Sequence, residues 1–216
     1  MATLAALEPP PAAAAPTRLE RLKAQPRRPG EASFFWYETQ LQCEAVKVLP
    51  GEYFVHAEDI LIMTTLGSCI AACLWDRDAG VGGLNHFMLP EGRGDSGRYG
   101  AHAMELLINE LLKCGATRGS LRAKVFGGGQ VIQGMDHMNV GERNTRFVLD
   151  YLKAERIPVV SKDVLDVYPR KVCFMPASGR AMVKRLASTR SSELMARERS
   201  AAQRAAASGA GSVDLF

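Results

Sequence analysis

Two apolar runs, Ile70 to Trp75 and Val81 to Leu89, are separated by Asp76-Arg77-Asp78-Ala79-Gly80, and the turn chemistry of that gap predicts a β-hairpin. Shorter apolar runs precede it. Val46 to Leu49 and Tyr53 to Val55 flank Pro50-Gly51, and Ile60 to Met63 leads towards Leu66-Gly67-Ser68-Cys69, so the front half is expected to be mostly β. From Tyr99 the period changes. Ala103, Leu106, Leu107, Glu110, Leu111 and Cys114 recur at helical spacing with Gly115 as the stop signal, which predicts an amphipathic helix with Cys114 as a packing residue on its apolar face. Gly141-Glu142-Arg143-Asn144 opens a second helix to about Ala154, with Phe147, Val148, Tyr151 and Leu152 inward. Leu121 to Phe126 reads as a strand entering Gly127-Gly128-Gly129. Ile157 to Val160, Val172 to Met175 and Ala181 to Leu186 are further strands, the last two joined by the turn Pro176-Ala177-Ser178-Gly179. Two helices with several mostly antiparallel strands make an α+β fold, helices layered on a sheet.

The ends break this pattern. Residues 1–31, with Pro9-Pro10-Pro11 and an alanine run, lack the apolar density to order themselves and are expected to be a disordered arm. Residues 189–216 are Ala, Ser, Arg and Gly with almost no apolar periodicity, expected as a low-complexity tail with transient helix. Between them, residues 32–188 form the expected catalytic-sized domain, and the aromatic cluster Phe34-Phe35-Trp36-Tyr37 at its edge is expected to cap the core.

Composition narrows the function classes. The 216-residue chain is 47% hydrophobic and 23% charged, enough to bury a core, and its net charge of +4 is mild. The basic residues are scattered through both ends, with no basic cluster interleaved with aromatics, so a nucleic-acid partner is not expected. No apolar stretch approaches the roughly 20 residues of a membrane span, and the N-terminus lacks the basic start and apolar run of a signal peptide; a cytoplasmic protein without membrane insertion is expected. Five irregularly spaced cysteines, Cys43, Cys69, Cys73, Cys114 and Cys173, argue for free thiols over a disulfide framework. No metal site is expected, because CxxC spacing is absent and no second ligand pair exists. His56, His102 and His137 are isolated, the last between Met135 and Met138. No phosphate-binding pattern follows the glycine triplet, which is better read as a tight turn near a site.

The candidate chemistry lies on the hairpin. If Asp76 to Ala79 form the loop, Trp75 pairs with Gly80 and Cys69 faces His86, with Cβ atoms roughly 4.5–5.5 Å apart. A slip of one residue sends the two side chains to opposite faces. A cysteine nucleophile needs a base, a group that holds the base, and donors for the oxyanion. His86 suits the base, Thr64 or Thr65 the group that accepts from its other ring nitrogen, and Gly67 allows a bend that converges the amides of Ser68 and Cys69 on a carbonyl oxygen. Taken singly, a cysteine in an apolar strand is ordinarily a small core residue and a histidine on a strand a satisfied or surface one. The preceding Gly-Ser and the strand spacing favour joint action. A peptidase or acyltransferase shares such a pair.

Leu66-Gly67-Ser68-Cys69, Gly83-Leu84-Asn85-His86-Phe87-Met88-Leu89-Pro90, Ala123-Lys124-Val125-Phe126-Gly127-Gly128-Gly129, Gly141-Glu142-Arg143-Asn144 and Pro169-Arg170-Lys171-Val172 occur in an order that resembles the chemoreceptor glutamine deamidases, the CheD family, over roughly residues 34 to 187. The resemblance implies a three-layer α/β/β sandwich similar to that of bacterial deamidating toxins. It also implies hydrolysis of glutamine side chains to glutamate on the cytoplasmic helices of methyl-accepting chemotaxis receptors, without metal or cofactor. By motif, the family's nucleophile falls on Cys69, its histidine on His86 and its threonine on Thr64, with Thr65 as the alternative. A chemotaxis phosphatase is a possible further partner, and a non-catalytic adaptor docking on receptor or phosphatase is the competing function. The chain departs from the family where a Gly-Gly pair before the late arginine is replaced by Leu165-Asp166-Val167-Tyr168.

Overall fold

A computed structural model describes residues 15–90, 97–130 and 140–186. Ten strands form two five-stranded mixed sheets. The first has the order β3 (Tyr53–His56), β6 (Val81–Phe87), β5 (Ile70–Asp76), β7 (Arg122–Gly127), β8 (Val159–Val164). The second has the order β1 (Phe34–Glu38), β2 (Cys43–Lys47), β4 (Leu61–Leu66), β9 (Arg170–Met175), β10 (Arg180–Arg185). Six of the pairings are antiparallel; β2 with β4 and β7 with β8 are parallel. Two main helices, α2 (Gly100–Lys113) and α3 (Val140–Ala154), accompany the short α1 (Arg18–Ala24). The α+β expectation holds.

Alternation on β5 sorts its side chains into two cores. Ile70, Ala72 and Leu74 join Met104, Leu107, Ile108, Val148 and Leu152 of α2 and α3. On the other face Cys69, Ala71, Cys73 and Trp75 pack with Ile62, Leu66, Val172 and Phe174 of the second sheet. Every residue of β5 and β6 is buried, because one face is covered by helices and the other by a sheet. That is the α/β/β layering.

The hairpin forms, but its register is two residues away from expectation: Ala71, not Cys69, pairs with His86, and Trp75 pairs with Gly82. The turn explains the difference. Asp76 remains in the ladder opposite Val81 while its carboxylate accepts from the amides of Asp78 (3.0 Å) and Ala79 (3.1 Å). Gly80, at φ +65°, takes the left-handed position that closes the loop and so is not a strand residue. A shift of two preserves facing, so Cys69 and His86 stay on one side of the sheet.

Two other expectations are corrected. Residues 18–24, expected within the disordered arm, form α1: Thr17 and Glu20 make a reciprocal capping box, and Leu22 is buried in the core between the sheets. Cys114 is exposed rather than packed, since the helix ends at Lys113 and Cys114 is its C-cap, where the chain turns away into Gly115 at φ +97°. Of the aromatic cluster, Phe35 enters the core edge-to-face against Phe54, while Phe34, on the other face of edge strand β1, and Tyr37, near the strand's end, are exposed. Residues 1–14, His137 with its flanking methionines, and residues 189–216 lie outside the described residues.

Candidate active site

Cys69 stands one residue before β5 begins and two positions along the same face from Ala71, the partner of His86. It is therefore a diagonal neighbour of His86, with backbones roughly 7–8 Å apart, a gap that a thiol and an imidazole can span between them. Both side chains lie between the two sheets. Thr64 comes from β4 of the second sheet, so the trio is assembled across the interface and not along one hairpin. All three are about 1% exposed, in a region of low dielectric.

The hydrogen bonds at His86 determine its tautomer. Thr64 Oγ1 donates to the carbonyl of Val48 (2.7 Å), which can only accept. The same oxygen lies 2.8 Å from His86 Nδ1 and, with its proton committed, must accept. Nδ1 therefore carries the proton and Nε2 the lone pair. Burial pushes the His86 pKa down to about 4, opposed by the Val48 carbonyl beside the ring, so the imidazole is neutral at pH 7. Nε2 is buried without a hydrogen-bond partner. Thr65 lies on the opposite face of β4, half-buried, which leaves Thr64 as the threonine at His86.

The corner that carries Cys69 is gripped from three sides. The Gly67 carbonyl accepts from the Gly129 amide (2.8 Å), the Ser68 carbonyl from Asn144 Nδ2 (3.1 Å), and the Cys69 carbonyl from the Gly128 amide (2.8 Å). The glycine triplet is thus the expected tight turn, lying directly on the candidate nucleophile. Gly127 (φ +111°) and Gly128 (φ +66°) need left-handed backbone, and a Cβ on Gly127 would fall on the Cys69 carbonyl.

Sequence reasoning missed two residues here, although both stood in motifs it had singled out. Asn144, fully buried in the first turns of α3, donates to Met88 (2.8 Å) as well as to Ser68. Arg170 is also fully buried. Its Nε donates to Asp163 (2.6 Å), Nη1 to the Tyr168 carbonyl (3.2 Å), and Nη2 to the Leu165 carbonyl. It thereby ties the second sheet to the loop behind the glycine triplet. In that loop Leu165 and Asp166 have φ +63° and +69°, the left-handed conformation a Gly-Gly pair would adopt at little cost. Nothing in the local sequence marked either role: Asn144 stands inside a helical pattern and Arg170 at the start of a strand, and the carbonyls they cap are brought to them by the fold.

Other candidates lie elsewhere. His56 is opposite Gly82, at the far end of β6 from His86, and its Nδ1 accepts from the Glu58 amide (3.0 Å). His102 is on α2. Cys73 is fully buried between the sheets, its thiol pushed far above the ordinary value by burial, and is a core residue. Among the described residues no three of His, Cys, Asp and Glu gather in a metal-binding group, and no helix is long and apolar enough to cross a membrane.

A family model described as CheD chemotactic sensory transduction matches residues 88–185. The probable chemoreceptor glutamine deamidase CheD 1 of Albidiferax ferrireducens is 63% identical over 206 residues, 93% of this chain and 87% of that one. The probable chemoreceptor glutamine deamidase CheD of Thiobacillus denitrificans is 53% identical over 86% of this chain and 96% of its own. That of Bordetella petrii is 58% identical over 74% and 75%. With relatives this similar over most of both chains, the chain belongs to the CheD family.

Proposed function

We propose that the protein hydrolyses glutamine side-chain amides of chemotaxis receptors to glutamate, with Cys69 as nucleophile, His86 as base and then acid, and Thr64 as the residue that orients His86. The observation that carries this is the Thr64–His86 contact of 2.8 Å, which leaves the basic Nε2 as the unpartnered nitrogen on the face shared with Cys69. Relatives described as probable chemoreceptor glutamine deamidases support the substrate class.

In the proposed reaction Nε2 takes the thiol proton as Sγ attacks the carboxamide carbon. The resulting oxyanion is held by the amides of Ser68 and Cys69, at the bend Gly67 permits. His86 returns the proton to the departing nitrogen, the C–N bond breaks and ammonia leaves. Water, activated by His86, then cleaves the thioester to give glutamate and the free thiol. No group beyond water is consumed. Neutral His86 suits the first step, because a protonated imidazole could not accept from the thiol. Each turnover adds a negative charge to a receptor helix, which shifts the packing equilibrium of a helical bundle.

The test is incubation with receptor cytoplasmic fragments followed by intact mass measurement. Each modified site should gain about one dalton, the difference between amide and acid, and Cys69→Ala and His86→Ala should abolish the gain while keeping the folded circular dichroism spectrum. Undiminished conversion by either variant would remove that residue from the mechanism. Tight binding to receptor or chemotaxis phosphatase with no mass gain from the wild type would favour the adaptor.

A further inference from the structure

Asn144 has no place in the three-residue mechanism, yet its carboxamide touches the nucleophile's corner and the strand beside it. Its Nδ2 donates to the carbonyls of Ser68 (3.1 Å) and Met88 (2.8 Å). Met88 follows Phe87, the partner of Ile70, so it continues β6 alongside Cys69. The two carbonyls fix the amide orientation, because only the NH2 end can donate to both. Oδ1 is left buried without a partner, and among the described residues the only other buried side-chain atom in that condition is His86 Nε2. A buried acceptor without a protein partner at a residue with zero exposure is a feature that packing alone does not explain.

The consequence runs through the peptide plane. The Ser68–Cys69 peptide is planar and trans, so its N–H points opposite to its C=O. With the Ser68 carbonyl held by α3, the Cys69 N–H is directed away from α3. The Gly129 amide does the same for the preceding peptide by holding the Gly67 carbonyl (2.8 Å), which directs the Ser68 N–H. A carbonyl that accepts a hydrogen bond also polarises its own peptide and makes the N–H a stronger donor. The chain supplies the Gly129 clamp from backbone. The other clamp depends on one side chain.

We infer that Asn144 is a positioning residue for acyl transfer: by donating to the Ser68 and Met88 carbonyls it aims and polarises the Cys69 amide towards the oxyanion. This rests on the proposed role of Cys69, and the test separates the two. Alkylation of a thiol by iodoacetamide displaces iodide at a saturated carbon and develops no oxyanion. Acetylation by p-nitrophenyl acetate passes through a tetrahedral oxyanion before p-nitrophenolate leaves. Both adducts are located at Cys69 by peptide mass, which distinguishes it from the four other thiols.

Asn144→Ala should slow acetylation of Cys69 by about 10²-fold, the scale of losing one oxyanion donor, and leave alkylation within about threefold. For receptor deamidation kcat should fall by a similar factor with KM unchanged. Asn144→Leu fills the volume and removes both donors, and should behave alike if the alanine variant does not fold. Equal loss of alkylation and acetylation would make Asn144 a general structural support and overturn the inference, as would unchanged acetylation. Wild-type protein in which Cys69 takes neither reagent would end both readings. Normal selectivity between the reagents with no receptor mass gain would reject the receptor substrate and leave the role of Asn144 standing.

Discussion

At His86 the environment sets both the proton position and a stability cost. The folded ring has a pKa near 4, and the unfolded one the ordinary 6.5. Above pH 6.5 neither state binds this proton and stability is complete. As the pH falls from 6.5 towards 4 the unfolded chain binds a proton that the folded one refuses, so stability falls by about 1.4 kcal/mol per pH unit, levelling off below 4. Between pH 7 and pH 4.5 wild type should therefore lose about 2 to 3 kcal/mol more than His86→Gln in denaturant titrations. Parallel curves for the two proteins would mean the imidazole is not held neutral by burial. At this scale Cys69 and His86 were legible because a thiol and an imidazole stand out against apolar strands. Asn144 and Arg170 were not: Asn144 caps carbonyls far away in the chain and Arg170 those of the loop beside it, and which carbonyls lie near a side chain is a property of the folded chain.

At the scale of elements, the hairpin shows what a pattern specifies. Alternation told which face Cys69 and His86 share, and that survived. It did not tell the register to within two residues, because Asp76 served as a strand residue and a turn cap at once, and the left-handed Gly80 moved the loop by one position. Gly80 and Gly128 then form an internal comparison. Both have φ near +65°, but a Cβ at Gly80 meets nothing, whereas one at Gly128 runs into Thr145 Oγ1 and lies 2.8 Å from the Gly141 carbonyl. Gly80→Ala should cost about 1 kcal/mol, the penalty of left-handed backbone alone. Gly128→Ala should cost at least about 2 kcal/mol more and slow Cys69 acetylation, since it prises α3 from the turn that holds the Cys69 carbonyl. Equal losses in denaturant unfolding would show that α3 yields freely there.

For the whole molecule, α1 extends the fold beyond the predicted boundary. Leu22 is 3% exposed in the core between the sheets, Arg18 pairs with Glu44 of β2 (2.8 Å), and Arg27 lies over the Phe35 ring (4.7 Å). Leu22→Ala should lower stability by about 2 to 3 kcal/mol, and removal of residues 1–31 by more, both read from thermal or denaturant unfolding. A truncated chain as stable as the full one would reduce α1 to an appendage. The helix was invisible in composition because seven residues with one core leucine do not outweigh the prolines and alanines before them. Its stability comes from docking and capping, not from propensity.

The sequence by itself determined the α+β class, the two main helices, the strand-rich front half and the face on which a cysteine and a histidine meet. Those follow from periodicity and turn chemistry, which act over a few residues. The tertiary structure decided that Thr64 reaches His86 from another sheet, that the glycine triplet and α3 hold the Cys69 corner, and that a buried arginine supports the left-handed Leu165-Asp166 loop. The first two join residues tens of positions apart and the third joins Arg170 to carbonyls of the loop just before it, and hydrophobic patterning carries no information about which of many polar groups will lie within about 3 Å once two sheets close on one another.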